Sequence, residues 1–350
     1  MSIFCLNEDT LAELVSNNFS NFKKKLNENN YSTFLITPST INYSLHLIPT
    51  IIQELQGTNI TKLDIRGYNL RHKGAIEFAK NLQGSQITSL DIVENHIGPE
   101  GATEFIQNLQ GSNITHLMLG RNNLGPQGAA ELSKNLSETQ ITDLCIWENY
   151  INDEGASELA KNLARTKITK INLQHNQIGD KGAVAFTKNF QGSRVTTLNL
   201  GWNKLWLWNC HLHSAAEFAE NLRYSQVDTL FLDGNHIGDS GIVAFSEKLH
   251  GTKITTLSLG ENQITSEGAA LLVQYLHNTI VADLNLFDNH IDDEYIADFY
   301  KNLPNTKLSY VNLDFNYVYS DSIHDFLNSL KGIEVVIPSP MIDIEAQVDK

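Results

Sequence analysis

The residues of this chain best suited to chemistry are three cysteines and a few histidines near them. Cys145 stands close to Trp147 and Glu148, and the next histidine after it is His175. A nucleophilic cysteine needs a base or a cationic neighbour, and no histidine shares the sequence segment of Cys145. The sequence also has no Walker-type loop, HExxH motif or G-x-S-x-G motif. We therefore predict no catalytic residues, no cofactor and no enzymatic activity.

A second cluster lies in the stretch LWLWNCHLHS, which holds Trp206, Trp208, Cys210, His211 and His213. Cysteine and histidine are zinc ligands, but a structural zinc site needs four of them and this stretch offers three. We therefore predict no metal site. Tryptophan is enriched in binding hot spots, so the stretch is predicted to contact a partner through Trp206, Trp208, His211 and His213. The alternative is that both tryptophans fold back and only pack against the protein.

The elements that would position these residues follow from an internal repeat. Nine units extend from Ile60 to Lys307, and each is 27 residues long except one of 32, which contains the LWLWNCHLHS insertion. Alternate leucine or isoleucine residues, as at Leu90 and Ile92, predict a strand with those side chains in the core. The spacing of Ala75, Phe78, Ala79 and Leu82 predicts a helix with one buried stripe.

An asparagine follows the second strand leucine by three residues and is predicted to form a hydrogen-bonded ladder through the stack. Its members are Asn95, Asn122, Asn149, Asn176, Asn203, Asn235, Asn262, Asn289 and Asn316. Tyr68 occupies this position in the first full repeat, so the ladder is expected to begin at Asn95.

One strand and one helix per repeat predict an α/β solenoid, a horseshoe with parallel strands on the concave face and helices on the convex face. A solenoid needs caps because its end repeats expose apolar core. The predicted segments are an N-terminal helical cap (1–33), a degenerate first repeat (34–59), nine repeats (60–307), a degenerate last repeat with a C-terminal cap (308–337) and a flexible acidic tail (338–350).

The positions that the fold does not need are those between and after the strand leucines, as at Asp91, Val93 and Glu94; we call them the strand face. Aromatic side chains on this face are surrounded by acids, and the only arginine or lysine residues on it are Arg66 and Arg121. Aromatic anchors within a charged rim are typical of protein interfaces. The predicted partner-binding residues are Asp91, Glu94, Trp147, Glu148, Trp202, Phe231, Asp233, Glu261, Phe287, Asp288, Asp314 and Phe315.

The formal charge of −15 favours a partner with a basic surface and argues against nucleic acid, which is bound through lysine and arginine. The N-terminus lacks a signal-peptide pattern, and no apolar run is long enough for a membrane span. Three scattered cysteines indicate a reducing compartment. We expect a monomer in a cytoplasm, or a protein secreted by a bacterium into the host cytosol without a cleaved signal peptide.

The repeats ITSLDIVENHIG and ITKINLQHNQIG, each followed by a helical phrase such as GAIEFAKNLQGS, resemble the leucine-rich repeats of the ribonuclease-inhibitor-like subfamily. The Asn- and Lys-rich units are also similar to leucine-rich-repeat effectors that intracellular Gram-negative bacteria deliver into host cells. The resemblance implies a non-enzymatic scaffold that binds a partner protein. The alternative is a GTPase-activating protein, since a Ran-regulating family shares this repeat class.

Overall fold

The computed structural model describes residues 3–6, 20–36, 48–205, 212–318 and 332–337. Its contacts divide the chain into two compact units, Met1–Leu200 and Gly201–Lys350, each of which alternates strands with helices. The predicted tail, 338–350, lies outside the described residues. None of the described helices combines the length and apolar character needed to cross a membrane.

Unit 1, Met1–Leu200, contains a sheet whose strands pair in parallel and in chain order. Its strands are β1 (Ile3–Leu6), β2 (Thr33–Ile36), β3 (Lys62–Asp64), β4 (Ser89–Asp91), β5 (His116–Met118), β6 (Asp143–Cys145), β7 (Lys170–Asn172) and β8 (Thr197–Asn199). Its helices are α1 (Ser20–Glu28), α2 (Ile48–Glu54), α3 (Arg71–Lys80), α4 (Gly98–Asn108), α5 (Gly125–Asn135), α6 (Asn152–Leu163) and α7 (Asp180–Lys188).

Unit 2, Gly201–Lys350, repeats the same plan. Its strands, also parallel and in order, are β9 (Thr229–Phe231), β10 (Thr256–Ser258), β11 (Asp283–Asn285), β12 (Tyr310–Asn312) and β13 (Glu334–Val336). Its helices are α8 (Leu212–Leu222), α9 (Gly238–Ser246), α10 (Ser266–Leu276) and α11 (Ile296–Asn302).

The strand register advances by one repeat per strand, so that Leu63 faces Leu90 and Leu90 faces Leu117. The buried residues include these leucines and the isoleucine or leucine two residues after each of them. The helical stripe of Ala75, Phe78, Ala79 and Leu82 is buried as well. Burial of the alternate strand positions and of one helical stripe in every regular repeat confirms the predicted leucine-rich-repeat solenoid architecture in each unit.

Close helix packing depends on a glycine in the first turns of the helices. A Cβ built at Gly155 in α6 would lie 2.8 Å from the backbone Cα of Pro126 in α5. Backbone cannot move aside as a flexible side chain can, so only glycine permits this approach. Gly155 stands in the phrase NDEGA, at the repeat position of the second glycine in GPEGA and GPQGA. This glycine therefore belongs to the helix and sets the spacing between neighbouring helices.

The N-terminal segment contains more than helix. Within the predicted helical cap at 1–33, β1 precedes α1 and pairs with β2. Phe4 and Leu6 alternate with exposed residues and are buried, and the Phe4 ring stacks on Phe34 at 5.5 Å. The period-two pattern of IFCL thus forms a strand although it lacks the repeat motif. At the other end, β13 lies within the predicted segment 308–337.

The asparagine ladder forms as predicted. Asn95 is buried, and its side-chain Nδ2 donates to the carbonyl oxygens of Ile65, Ile92 and Val93 at 2.9–3.2 Å. Its Oδ1 accepts the backbone N–H of Tyr68 at 3.1 Å, so the ladder begins at Asn95, beside the repeat that carries tyrosine instead. The ladder fixes the turn that follows each strand, and the candidate site is built on that turn.

Candidate functional site

The last strand-face position of every repeat has a left-handed backbone. The φ angles there lie between +48° and +75°. The residues are Gly67, Glu94, Arg121, Glu148 and His175 in unit 1 and Trp202, Gly234, Glu261, Asp288 and Phe315 in unit 2. For a residue other than glycine this conformation costs about 1–2 kcal/mol. Eight of these ten positions therefore hold a residue other than glycine although glycine would be less strained there, and several of the eight side chains are large or charged.

In unit 1 an arginine joins an aromatic ring to two carboxylates. The Arg121 guanidinium lies over the Trp147 ring, 5.2 Å from its centroid. Its Nε donates to Glu148 Oε2 at 2.8 Å, and Nη1 is 4.0 Å from Glu94 Oε2. The Trp147 ring covers Gly120, where a Cβ would lie 2.4 Å from the indole nitrogen. The predicted residues Glu94, Trp147 and Glu148 are therefore close together, with a cation from the same chain among them.

Asp91 lies in a second acidic cluster of unit 1. Arg66 donates to both carboxylate oxygens of Asp64, and its Nε is 3.4 Å from Asp91 Oδ2. Burial raises the pKa of Asp91 to about 6, against the lowering effect of the Val93 N–H that it accepts, and the negative charge of Asp64 raises it further. Unit 1 thus supplies an arginine to each of its two groups of strand-face acids.

Cys145 is not set up as a nucleophile. Burial raises the pKa of its thiol to about 11, so the thiol is protonated at neutral pH. The thiolate is the reactive form, and a reactive cysteine has a lowered pKa. Cys145 fills a half-buried place on the strand face.

In unit 2 the first two predicted aromatics lie on neighbouring repeats. The Trp202 ring covers Gly234, where a Cβ would lie 2.5 Å from Cδ2 of the ring, and Trp202 keeps 38% of its surface exposed. Phe231 is half-buried at the end of β9. The Asp233 carboxylate is bound internally, since its Oδ1 accepts Ser258 Oγ at 2.5 Å and the Gly260 N–H at 2.8 Å.

Four of the remaining predicted residues of unit 2 form a partly exposed aromatic and acidic patch. The rings of Phe287 and Phe315 are 4.9 Å apart, and Phe315 is 64% exposed. Asp288 is exposed beside Phe287, whereas Glu261 and Asp314 are half-buried. Burial raises the pKa of Glu261, and the carboxylates of Asp288 and Asp233 raise it further. We call Glu261, Phe287, Asp288 and Phe315 the unit 2 patch.

The insertion is described only at its end. Trp206, Trp208 and His211 lie outside the described residues, as does Cys210. His213 is in the first turn of α8, where its side chain is 92% exposed and its Nε2 is 3.8 Å from Glu217. Within the described ranges no group of three or more His, Cys, Asp or Glu residues could hold a metal ion.

Sequence reasoning missed two features of the site. The left-handed backbone at one fixed position has a weak signal in the glycines of that series, Gly67 and Gly234. The second feature is the packing of each tryptophan on a glycine, and its signal in the sequence is clearer. Gly120 and Gly234 occupy the same repeat position as the tryptophan of the adjacent repeat. A glycine at the position that a tryptophan occupies in the next repeat predicts that the ring packs on the glycine.

The repeats are recognised directly by a family pattern described as Leucine Rich repeat, which matches residues 86–105, 112–133, 165–186, 229–246 and 250–273. The chain is thus built from leucine-rich repeats, a fold that generally serves protein–protein interaction, and no catalytic family is indicated.

Two of the solved structures with a similar fold are an internalin and a Toll-like receptor complex. An internalin (inlF) from Listeria monocytogenes is 14% identical with a TM-score of 0.41, over 81% of this chain and 76% of the internalin chain. A TLR13–ssRNA13 complex is 17% identical with a TM-score of 0.51, over 80% of this chain and 40% of the other. At 17% identity the likeness to the TLR13 chain concerns the fold alone. No curated protein matches the sequence.

Proposed function

We propose that this protein is a non-enzymatic scaffold that binds a partner protein through the strand face. The observation that carries the proposal is the Phe287–Phe315 pair, with ring centroids 4.9 Å apart. Phe315 is 64% exposed and Phe287 is half-buried, and acids border the pair at positions that the core does not require. An exposed aromatic ring is poorly hydrated, so its burial by a partner is favourable and stabilises the complex.

The charge of the face favours a partner with a basic surface. Its acids include Asp91, Glu94, Glu148, Asp288 and Asp314, in a chain whose net charge is −15. Long-range attraction would speed and orient the encounter, while the aromatic contacts would slow dissociation. The same charge disfavours nucleic acid, whose phosphates it would repel.

The strain at the left-handed position also supports a binding role. Trp202 and Phe315 are bulky residues with φ near +54° and +59°. Such outliers persist where the surrounding structure enforces them, and they cluster at functional sites. Trp202 packs on Gly234 and Phe315 packs against Phe287, yet the two side chains keep 38% and 64% of their surface exposed for contact with a partner.

The ribonuclease-inhibitor-like class is supported by repeats of 27 residues that contain a full helix, up to the 12 residues of α6. A role as a delivered bacterial effector that acts on host proteins rests on the Asn- and Lys-rich character of the repeats. We assign the insertion a secondary contact through Trp206, Trp208, His211 and His213.

Affinity capture from a eukaryotic lysate tests the proposal. The variant Trp202→Ala/Phe287→Ala/Phe315→Ala, which removes the Phe287–Phe315 pair and a third strand-face ring, should lose the captured protein. A matched control, Tyr224→Ala/Tyr275→Ala/Tyr295→Ala, removes three aromatic rings away from the strand face and should keep it. If the strand-face variant folds and retains every partner of the wild type, the strand face is not the binding surface.

A further inference from the structure

The strand face of unit 1 shows how this surface holds a guanidinium. Arg121 lies over the Trp147 ring, and its Nε donates to the carboxylate of Glu148 at 2.8 Å. A planar cation that stacks on a ring and bonds a carboxylate edge makes both contacts at once. The protein thus contains its own example of a guanidinium site between two neighbouring repeats.

Unit 2 repeats these positions without the cation. In the repeat register, Gly120 and Arg121 correspond to Gly260 and Glu261, and the pair Trp147 and Glu148 corresponds to Phe287 and Asp288. The aromatic ring and the acid after it are kept, while glutamate replaces the arginine. Phe315, one repeat further on, adds a second ring 4.9 Å from Phe287.

The acids of the unit 2 patch lack the counterions that unit 1 provides. Arg66 and Arg121 pair with acids of unit 1, whereas no lysine or arginine forms an ion pair with Glu261 or Asp288 in the described ranges. Burial raises the pKa of Glu261, the like charges of Asp288 and Asp233 raise it further, and the nearby His236 lowers it. A metal ion would not supply the missing charge, because the described residues contain no cluster that could hold one.

We propose that the unit 2 patch binds the guanidinium of an arginine side chain on the partner protein. The proposal rests on the proposed function and narrows it, because it names the group that the partner inserts. The arginine stacks on the Phe287 and Phe315 rings and pairs with Glu261 and Asp288. Guanidinium fits better than ammonium, since it is planar, weakly hydrated and able to stack and donate in the same plane.

The test is a fluorescence anisotropy titration of the intact chain with a fluorescein-labelled peptide of three Gly-Ser-Arg repeats, at about 50 mM salt so that screening is weak. Two matched peptides replace arginine with lysine, which keeps the charge, or with citrulline, which keeps the shape. The arginine peptide should bind at least about tenfold more tightly than either.

Two variants locate the site. Glu261→Arg places a cation where Arg121 stands in unit 1 and should weaken the arginine peptide by at least about tenfold. Glu220→Arg makes the same charge change on an exposed residue of α8 and should leave the affinity within about twofold, since an exposed charge away from the site contributes little. Phe315→Ala removes an exposed ring without a new backbone demand and should also weaken binding.

The proposal is overturned if the wild type fails to bind the arginine peptide, if the lysine peptide binds equally well, or if Glu261→Arg and Glu220→Arg weaken binding by the same factor. In each case the capture experiment on the strand face still decides the proposed function separately. If the strand-face variant loses capture and any of these peptide results is also found, the strand face binds a partner protein but does not recognise an arginine side chain.

Discussion

Replacement of Asn149 by alanine would remove one member of the ladder that fixes the strand-face turns. Asn149 is fully buried. Its Oδ1 accepts the backbone N–H of Asn122 at 2.9 Å and of Leu124 at 3.3 Å. Its Nδ2 donates at 3.0 Å to each of three carbonyl oxygens, those of Leu119, Ile146 and Trp147.

The cost depends on which of these groups is left without a partner. Each of the three carbonyls accepts a second hydrogen bond, from Asn122 Nδ2, Asn176 Nδ2 and the Arg121 N–H respectively. The N–H groups of Asn122 and Leu124 have no other acceptor among the described residues. A buried unsatisfied N–H costs about 1–3 kcal/mol, so two of them give a loss of about 4 kcal/mol.

Hydrogen exchange measures this loss where it occurs. The amides of Asn122 and Leu124 should exchange about a thousandfold faster in Asn149→Ala, which is the rate change that corresponds to about 4 kcal/mol. Asn108→Ala serves as the control, since its Nδ2 makes an exposed bond to the carbonyl of Glu104 and should cost less than about 0.5 kcal/mol. Equal exchange rates in the two variants would refute the ladder argument.

Three further predictions concern the strand face. Gly120→Val should displace the Trp147 ring, because a Cβ at this position would lie 2.4 Å from the indole nitrogen. Acrylamide quenching of tryptophan fluorescence should therefore rise in this variant, but not when Trp147→Phe is added. An unchanged quenching constant would refute the packing of Trp147 on Gly120. Phe315→Gly should be more stable than Phe315→Ala by about 1 kcal/mol in urea unfolding, because glycine adopts φ near +59° without strain. Equal unfolding midpoints for the two variants would mean that the turn stores no backbone strain. Asp91 has a folded pKa of about 6, above the ordinary value of 3.8, so the folded state binds the proton more tightly and stability should fall as pH rises from about 4 to 6, by up to about 3 kcal/mol. Urea unfolding of Asp91→Asn should lack this part of the pH dependence, and identical profiles for variant and wild type would contradict the assignment.

Much of the fold was predictable because a repeated motif repeats its physical demands. The alternating leucines, the helical stripe and the ladder asparagines recur in each regular repeat, and the structure places them in the core as expected. The start of the ladder at Asn95 followed from one departure, Tyr68. The strand β1 was not foreseen, because IFCL lacks the leucine motif and only its two-residue alternation indicates a strand.

The site was predictable only as a set of positions. Membership of the strand face follows from the repeat, but the contacts among its side chains depend on the neighbouring repeat. The Asp233 carboxylate is bound to Ser258 and Gly260, and Arg121 lies over Trp147; neither contact follows from the period alone. The left-handed backbone at these positions also required coordinates, since eight of its ten residues are not glycine.

Site-specific photo-cross-linking tests the central claim most directly. A benzophenone amino acid placed at Phe315, which is 64% exposed on the strand face, should form a covalent adduct with a partner protein in lysate. The same group at Tyr224, which is 71% exposed and lies just after α8, should give no adduct with that protein. Adducts from Tyr224 but not from Phe315 would show that the partner binds elsewhere and would contradict the account.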